Sequence, residues 1–230
     1  MASSIRSIVG EKILYSLKGG QWKAAKLRDV YVQGKRLYLH LDNTVCEIFF
    51  GMYGKMTTSP YGTRTASLGI RAESTQFYFY TCSVKFLSED QFYGIFRPSI
   101  DVLSPEFSVA EAALKIKNPE NEMRQVCDIL LDQEIFAGVG NIIKNEALFN
   151  AGILPGRLGK TISAHEAENL AACVREFSMV FLAMRMKGSK LSSFSRVYFK
   201  AKCQSCGGKI SRGKCGTTNR ITFWCSSCQK

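Results

Sequence analysis

The chain has 230 residues, 46% of them hydrophobic, enough to bury one or two cores without crosslinks throughout. Thirty-one Lys and Arg against nineteen Asp and Glu give a formal charge of +12 and a pI near 9.3, which points to a polyanion as partner, with a generally basic protein as the plain alternative. No apolar stretch is long enough to cross a bilayer, and the start "MASSIRSIVGEKI" has no signal-peptide core, which excludes a membrane protein and predicts an intracellular one.

The first half alternates as strands do. "RLYLHLD", "CEIFFGM" and "QFYFYTCSVKFL" are predicted strands, and "TSPYGTR" a turn between strands. After "DVLSPEFSVAEA" the period becomes helical. The expected class is α+β: an amino-terminal β-sandwich over residues 1–104, a helical domain over 105–194 and a cysteine-rich hairpin over 195–230.

Within "LLDQEIFAGVGNIIKNEALFNAGILPGR", Gly138 and Gly140 flank Val139 at the start of a helix with apolar Ile143, Ala147, Leu148 and Ala151, ended by Gly152 and Pro155. Such a glycine turn lets helix N–H groups approach a phosphate, with the Asn141 amide beside them; an ordinary turn capped by Asn fits the same residues. Further on, Ser163 and Glu166 form a capping box, and Leu170, Val174, Phe177 and Phe181 make a core-facing stripe.

The last residues carry the strongest signal. Cys203 and Cys206 are separated by eighteen residues from Cys225 and Cys228, a spacing that makes one closed four-thiolate zinc site of structural type. Cys215 lies between the pairs and out of register; Cys46, Cys82, Cys127 and Cys173 stand singly and are expected to act as small hydrophobes. "RITFWC" has strand chemistry, so the zinc is expected to stiffen a basic hairpin and hold Arg220 ready for a phosphate. From Arg185 onward there is no Asp or Glu.

"DQEIFAGVGNIIKNEALFNAGILPGR" resembles the helix-two-turn-helix of the Fpg/Nei family of DNA glycosylases, and "NRITFWCSSCQK" resembles that family's terminal zinc finger. "GKRLYLHL" is similar to the strand carrying the family's lysine and "FFGMYGKM" to its Gly-Met turn; "GVGNIIKNEALF" and "SRVYFKAKC" are most similar to the third endonuclease VIII-like subfamily of eukaryotes. The resemblance implies excision of oxidised bases, such as hydantoins and oxidised pyrimidines, by a nuclear and monomeric enzyme with one structural zinc and damaged DNA as partner. It further implies that Asn141, Arg220 and Lys35 hold phosphates around the lesion, and that Met52 fills the gap left by the extruded base, where a core position is the alternative for Met52. The family starts with Pro or Val followed by Glu, whereas here Ala2 and Ser3 follow Met1, so the implied Schiff-base nucleophile is the Ala2 amine and the nearest carboxylate is Glu11. "SEDQFYGIFRPSIDVLSP" does not reproduce the loop whose Arg and Phe support the orphaned base in Fpg-type enzymes, which implies a preference for single-stranded or opened DNA. Two other readings remain: a catalytically impaired damaged-DNA binder of the same fold, and a zinc-ribbon module binding RNA or protein.

Overall fold

The computed structural model describes residues 2–230. It divides into two compact units, Met1–Arg97 and Pro98–Lys230.

The first unit is built on β1 (Lys12–Leu17), β2 (Lys23–Gln33), β3 (Arg36–Leu41), β4 (Thr44–Phe49), β5 (Lys55–Thr57), β6 (Leu68–Arg71), β7 (Gln76–Tyr80) and β8 (Ser83–Ser88), joined in the order β5-β7-β6-β1-β2-β3-β4-β8. Every pairing is antiparallel. The eleven-residue β2 serves both halves, and its register slips between Leu27 and Asp29, the kind of bulge that lets a sheet turn a corner. The halves therefore close on each other. Ile13, Ile70, Phe77 and Phe79 from one face Leu37, Leu39, Cys46 and Ile48 from the other in a single core, and Tyr15 of β1 meets Phe86 of the edge strand β8 at 5.7 Å between ring centres.

A short helix α1 (Ala2–Arg6) plugs this sandwich. Ile5 and the following Ile8 are 0% and 1% exposed, and each such burial contributes about 1.5–3 kcal/mol. "QFYFYTCSVKFL", expected as one strand, is two: Thr81 takes a left-handed φ of 56°, and the chain leaves β7, beside β5 and β6, to pair as β8 with β4. "SEDQFYGI" forms helix α2 (Glu89–Ile95), with Ser88 and Gln91 in a capping box and Phe92 buried against Tyr31 and Tyr38.

The second unit contains α3 (Val109–Ile116), α4 (Val126–Ile129), α5 (Asn141–Asn150), α6 (Ala164–Met186) and the hairpin β9 (Ser211–Cys215)–β10 (Arg220–Trp224). Residues just after 97 belong to it, since Ile100 and Val102 exchange backbone hydrogen bonds with Ala137 and Val102 enters the helical core. The long α6 lies against α3 and α5 and buries Leu170, Val174 and Phe177, with Phe181 at the margin, as its apolar stripe predicts. Ser163 and Glu166 make the expected capping box, and Glu166 also binds the Arg157 guanidinium. Gly152, at φ 72°, ends α5 in the left-handed conformation that favours glycine. A smaller core of Phe149, Val197, Ile210, Phe223 and Cys225 seats the hairpin.

Candidate nucleic-acid interface

The site begins with a glycine turn that one side chain folds. Gln133 donates from Nε2 to the Leu131 and Val139 carbonyls and accepts the Gly138 N–H on Oε1, while Gly138 sits at φ 98°. The chain then enters α5 with Gly140 as N-cap and no side chain capping it. The first intrahelical bond runs from Lys144 N–H to Gly140 O, so the N–H groups of residues 141–143 lie ahead of the ladder at the positive end of the dipole. This is the chemistry of an anion seat.

The same helix grips the hairpin. Asn141 Nδ2 donates to Ile221 O at 2.8 Å, Lys144 Nζ to Thr222 Oγ1 at 2.7 Å, and Asn145 Oδ1 accepts Phe223 N–H at 2.6 Å. Three successive residues of β10 are thereby held by side chains one turn apart on α5, much as a neighbouring strand would hold them. Arg220, exposed and one residue before Ile221, is carried to the start of α5. The turn of the hairpin, just before Arg220, is fixed by α4 and its N-cap: Asp128 accepts the N–H and hydroxyl of both Thr217 and Thr218, and Gln125 Oε1 accepts Gly216 N–H. Burial pushes the Asp128 carboxyl up, but the four donors outweigh it and hold its pKa below the usual value. Lys144 is fully buried, and desolvation, assisted by the Arg220 charge and opposed by Cys127, Cys215 and Asp128, brings it down to about 8.

Asn141 Oδ1 is buried and, among the described residues, has no hydrogen-bond partner. Its Nδ2 bond to Ile221 O sets the amide plane.

Behind the hairpin lie the four predicted cysteines. The Sγ atoms of Cys203, Cys206, Cys225 and Cys228 all fall within 4.8 Å of one another, with Cys206–Cys225 at 3.5 Å and Cys203–Cys228 at 3.8 Å. A tetrahedral thiolate shell of about 2.3 Å radius has edges of about 3.8 Å, so the four could hold one metal ion. Gln229 secures the cluster to the segment that follows α5: its Oε1 accepts Cys225 N–H, and its Nε2 donates to Ile153 O. Lys230 exchanges backbone bonds with Gly152 and Leu154. Cys215 stands outside the cluster, beside Cys127.

The remaining predicted residues belong to the β unit. Lys35 follows Gly34, at φ 57°, in the β2–β3 turn and is exposed. Arg36 pairs with Phe49, so this turn and the segment after β4 share one end of the sheet. In that segment Gly54 N–H closes on Phe50 O, and Gly51 and Gly54 bracket a tight turn that leaves Met52 75% exposed, so the alternative of a core position is removed. Tyr53 is equally exposed and was missed, because one aromatic among fifteen Phe and nine Tyr carries no sequence signal of exposure. Met1 lies outside the described residues, as does the side chain of Ala2, whose backbone opens α1. Gln133 in its turn and Lys144, Asn145 and Glu146 on α5 carry no such signal either; the polar run on α5 looks solvent-facing until the hairpin and residues 196–198 cover it.

The fold and the interface define a class: a β-sandwich unit with a helix-two-turn-helix unit carrying a cysteine finger, the architecture of Fpg-type DNA glycosylases. The structure is similar to a viral DNA glycosylase, with TM-score 0.84 and 23% identity over 99% of this chain and 96% of the other. It is similar to MutM in complex with DNA containing carbocyclic 8-oxo-G, with TM-score 0.82 and 20% identity over 100% and 96%. In sequence, the Formamidopyrimidine-DNA glycosylase H2TH domain matches residues 99–195. Endonuclease 8-like 3 of Xenopus laevis is 35% identical over 86% of this chain and 33% of its own length, and that of Mus musculus 32% identical over 100% and 40%. Endonuclease 8-like 2 of Homo sapiens is 36% identical over 66% and 43%. The chain belongs to the Fpg/Nei family, and it spans about a third to two fifths of the length of these curated relatives.

Proposed function

We propose that this chain is a base-excision DNA glycosylase for oxidised bases that prefers single-stranded or opened DNA and has weak AP lyase activity. The observation that supports the reading is the bond from Asn141 Nδ2 to Ile221 O, which ties the uncapped start of α5 to the strand that carries Arg220. An uncapped helix start and a cation on the strand bound to it suit phosphates of one strand. Damaged DNA as the ligand is supported by solved structures of the same fold holding DNA with FAPY-dG or an abasic site.

In this reading Asn141 and Arg220 hold phosphates, Lys35 reaches those beside the lesion, and Met52 enters the stack vacated by the extruded base. Cys203, Cys206, Cys225 and Cys228 would hold one zinc ion, which supplies rigidity, since four thiolates leave no open position. Removal of Met1 frees the Ala2 α-amine, whose ordinary pKa of about 8 leaves a working fraction unprotonated at neutral pH. That amine attacks C1′, the damaged base leaves with a proton, and the resulting iminium accepts the electrons of β-elimination. Glu11, whose Oε2 accepts Glu73 N–H at 3.3 Å, is the carboxylate nearest to Ala2 in the chain. The protein acts as a monomer on nuclear DNA.

Borohydride trapping on a single-stranded oligonucleotide with a hydantoin or abasic site tests this. A crosslink mapped to the Ala2 amine is expected. Absence of a crosslink despite lesion-selective binding supports the second reading, a damage binder without chemistry. Clearly better binding and reaction on duplex lesions would refute the single-strand preference.

A further inference from the structure

Two cysteines have no part in the metal cluster or in the roles above. Cys127, on α4, is 1% exposed, and Cys215, the last residue of β9, is half-buried. Their Sγ atoms lie 3.5 Å apart although 88 positions separate them in the chain. Both face Gln125 Oε1, at 3.7 and 3.3 Å, and the same oxygen accepts Gly216 N–H at 2.9 Å. Outside the four-cysteine cluster, no other two thiols among the described residues come within hydrogen-bonding reach of each other. The place matters as much as the distance: Cys215 is the cross-strand partner of Arg220, and the turn that follows it is the one bound by Asp128.

We propose that Cys127 and Cys215 are a site of reversible oxidative modification, at which a hydroperoxide converts the pair into a disulfide tying the hairpin turn to α4. The Cys215 sulfur attacks the O–O bond, becoming a sulfenic acid and releasing water or the corresponding alcohol. The Cys127 sulfur then displaces the sulfenic oxygen, which leaves as a second water with the remaining thiol proton; the two thiols have lost two electrons and the peroxide has gained them. Closure to a disulfide of about 2.0 Å moves the sulfurs by about 1.5 Å, a rotamer adjustment at a half-buried residue. Cys215 suits the attacking role. The hydrogen bond from Cys127 brings it down to about 7 against the effect of burial, assisted by the Lys144 charge and Gly216 N–H, whereas Cys127 is pushed up by making that bond and by burial.

The disulfide fixes the residue opposite Arg220 to the helical core by a bond independent of the metal ion. The oxidised protein therefore keeps Arg220 in place when the finger is stripped. Only this consequence rests on the proposed DNA binding; the crosslink itself does not.

The zinc-loaded chain is treated with hydrogen peroxide, free thiols are alkylated, and unreduced peptides are mapped by mass spectrometry while a chromophoric chelator reports released zinc. A peptide joining Cys127 to Cys215 is expected before zinc appears, absent from Cys215→Ser and lost on adding dithiothreitol. Zinc release with oxidation first at Cys203, Cys206, Cys225 or Cys228, or separate over-oxidation of Cys127 and Cys215, would overturn the proposal. Oxidised and reduced samples are then chelated and titrated with single-stranded DNA, where the oxidised form is expected to bind at least about tenfold more tightly. Equal affinities would overturn the clamp, and failure of the reduced, zinc-loaded protein to bind DNA would instead sink the proposed function while leaving the peptide map decisive for the crosslink.

Discussion

Glu146 is the residue whose replacement tests the seating of the finger most directly. It is fully buried on α5, and its carboxylate accepts three backbone N–H groups: Arg196 at 2.8 Å on Oε2, and Val197 at 3.0 Å and Tyr198 at 2.8 Å on Oε1. These residues lead the chain toward Cys203, and Val197 is part of the small core under the hairpin. In Glu146→Gln the amide oxygen can still serve Val197 and Tyr198, but the NH₂ group then faces Arg196 N–H. The Arg196 bond is lost and the other two lose their charge assistance, together about 1.5–3 kcal/mol. Glu146→Ala abandons all three donors, Val197 N–H the most secluded, and is expected to cost about 3–5 kcal/mol. Native-state hydrogen exchange on the metal-loaded protein reads this locally, because about 1.4 kcal/mol is tenfold in protection. Glu146→Gln should lower protection at residues 196–198 by roughly 10–150-fold while strands β3 and β4 keep theirs. Unchanged protection at Val197 and Tyr198, or equal losses in the β unit, would refute the assignment of Glu146 as the anchor of this segment.

Replacing Arg220 with Ala should weaken single-stranded DNA binding at every sequence and reduce the slope of log K against log salt by roughly 0.7; an unchanged slope removes Arg220 from the phosphate contacts. Tyr53→Ala should cost about 1–3 kcal/mol of single-stranded affinity if the exposed ring stacks on a base, with Tyr53→Phe close to wild type, and fluorescence anisotropy measures both. Chelation should abolish hydrogen-exchange protection in β9 and β10 while the sandwich core is untouched, and global unfolding would contradict two separately cored units. Glu166 is brought down to about 2 by Arg157 and by Ser163 N–H against the effect of burial, so its folded pKa lies below its ordinary 4.5. Its contribution is fully present above pH 4.5 and fades as pH falls toward 2; the Tm difference between wild type and Glu166→Gln should be widest near neutrality and close over that window.

Where residue type alone dictates geometry, the sequence was sufficient. The two Cys-x-x-Cys pairs come together as their spacing predicts for a four-thiolate site, and Ser163 with Glu166 starts α6 because each side chain meets the other's backbone N–H. Period 2 marked the strands but not their partners. "QFYFYTCSVKFL" reads as one strand because its apolar alternation continues through Thr81, and only sheet pairing shows that its halves join different neighbours. Met52 was open between core and wedge, since an apolar side chain on a turn is buried or exposed according to what lies over it.

The interface divides in the same way. The four cysteines stand out by local pattern, Asn141 and Arg220 through the resemblance of their motifs to the family's, and the glycines around Val139 announce a turn from their own backbone freedom. That Asn141, Lys144 and Asn145 grip three consecutive residues of β10, that Asp128 and Gln125 hold the hairpin turn, and that Cys127 lies against Cys215 are facts of tertiary structure alone. Each joins residues more than 75 positions apart, and a hydrogen bond or thiol contact over that separation depends on the packing of whole elements, which no local period or spacing encodes.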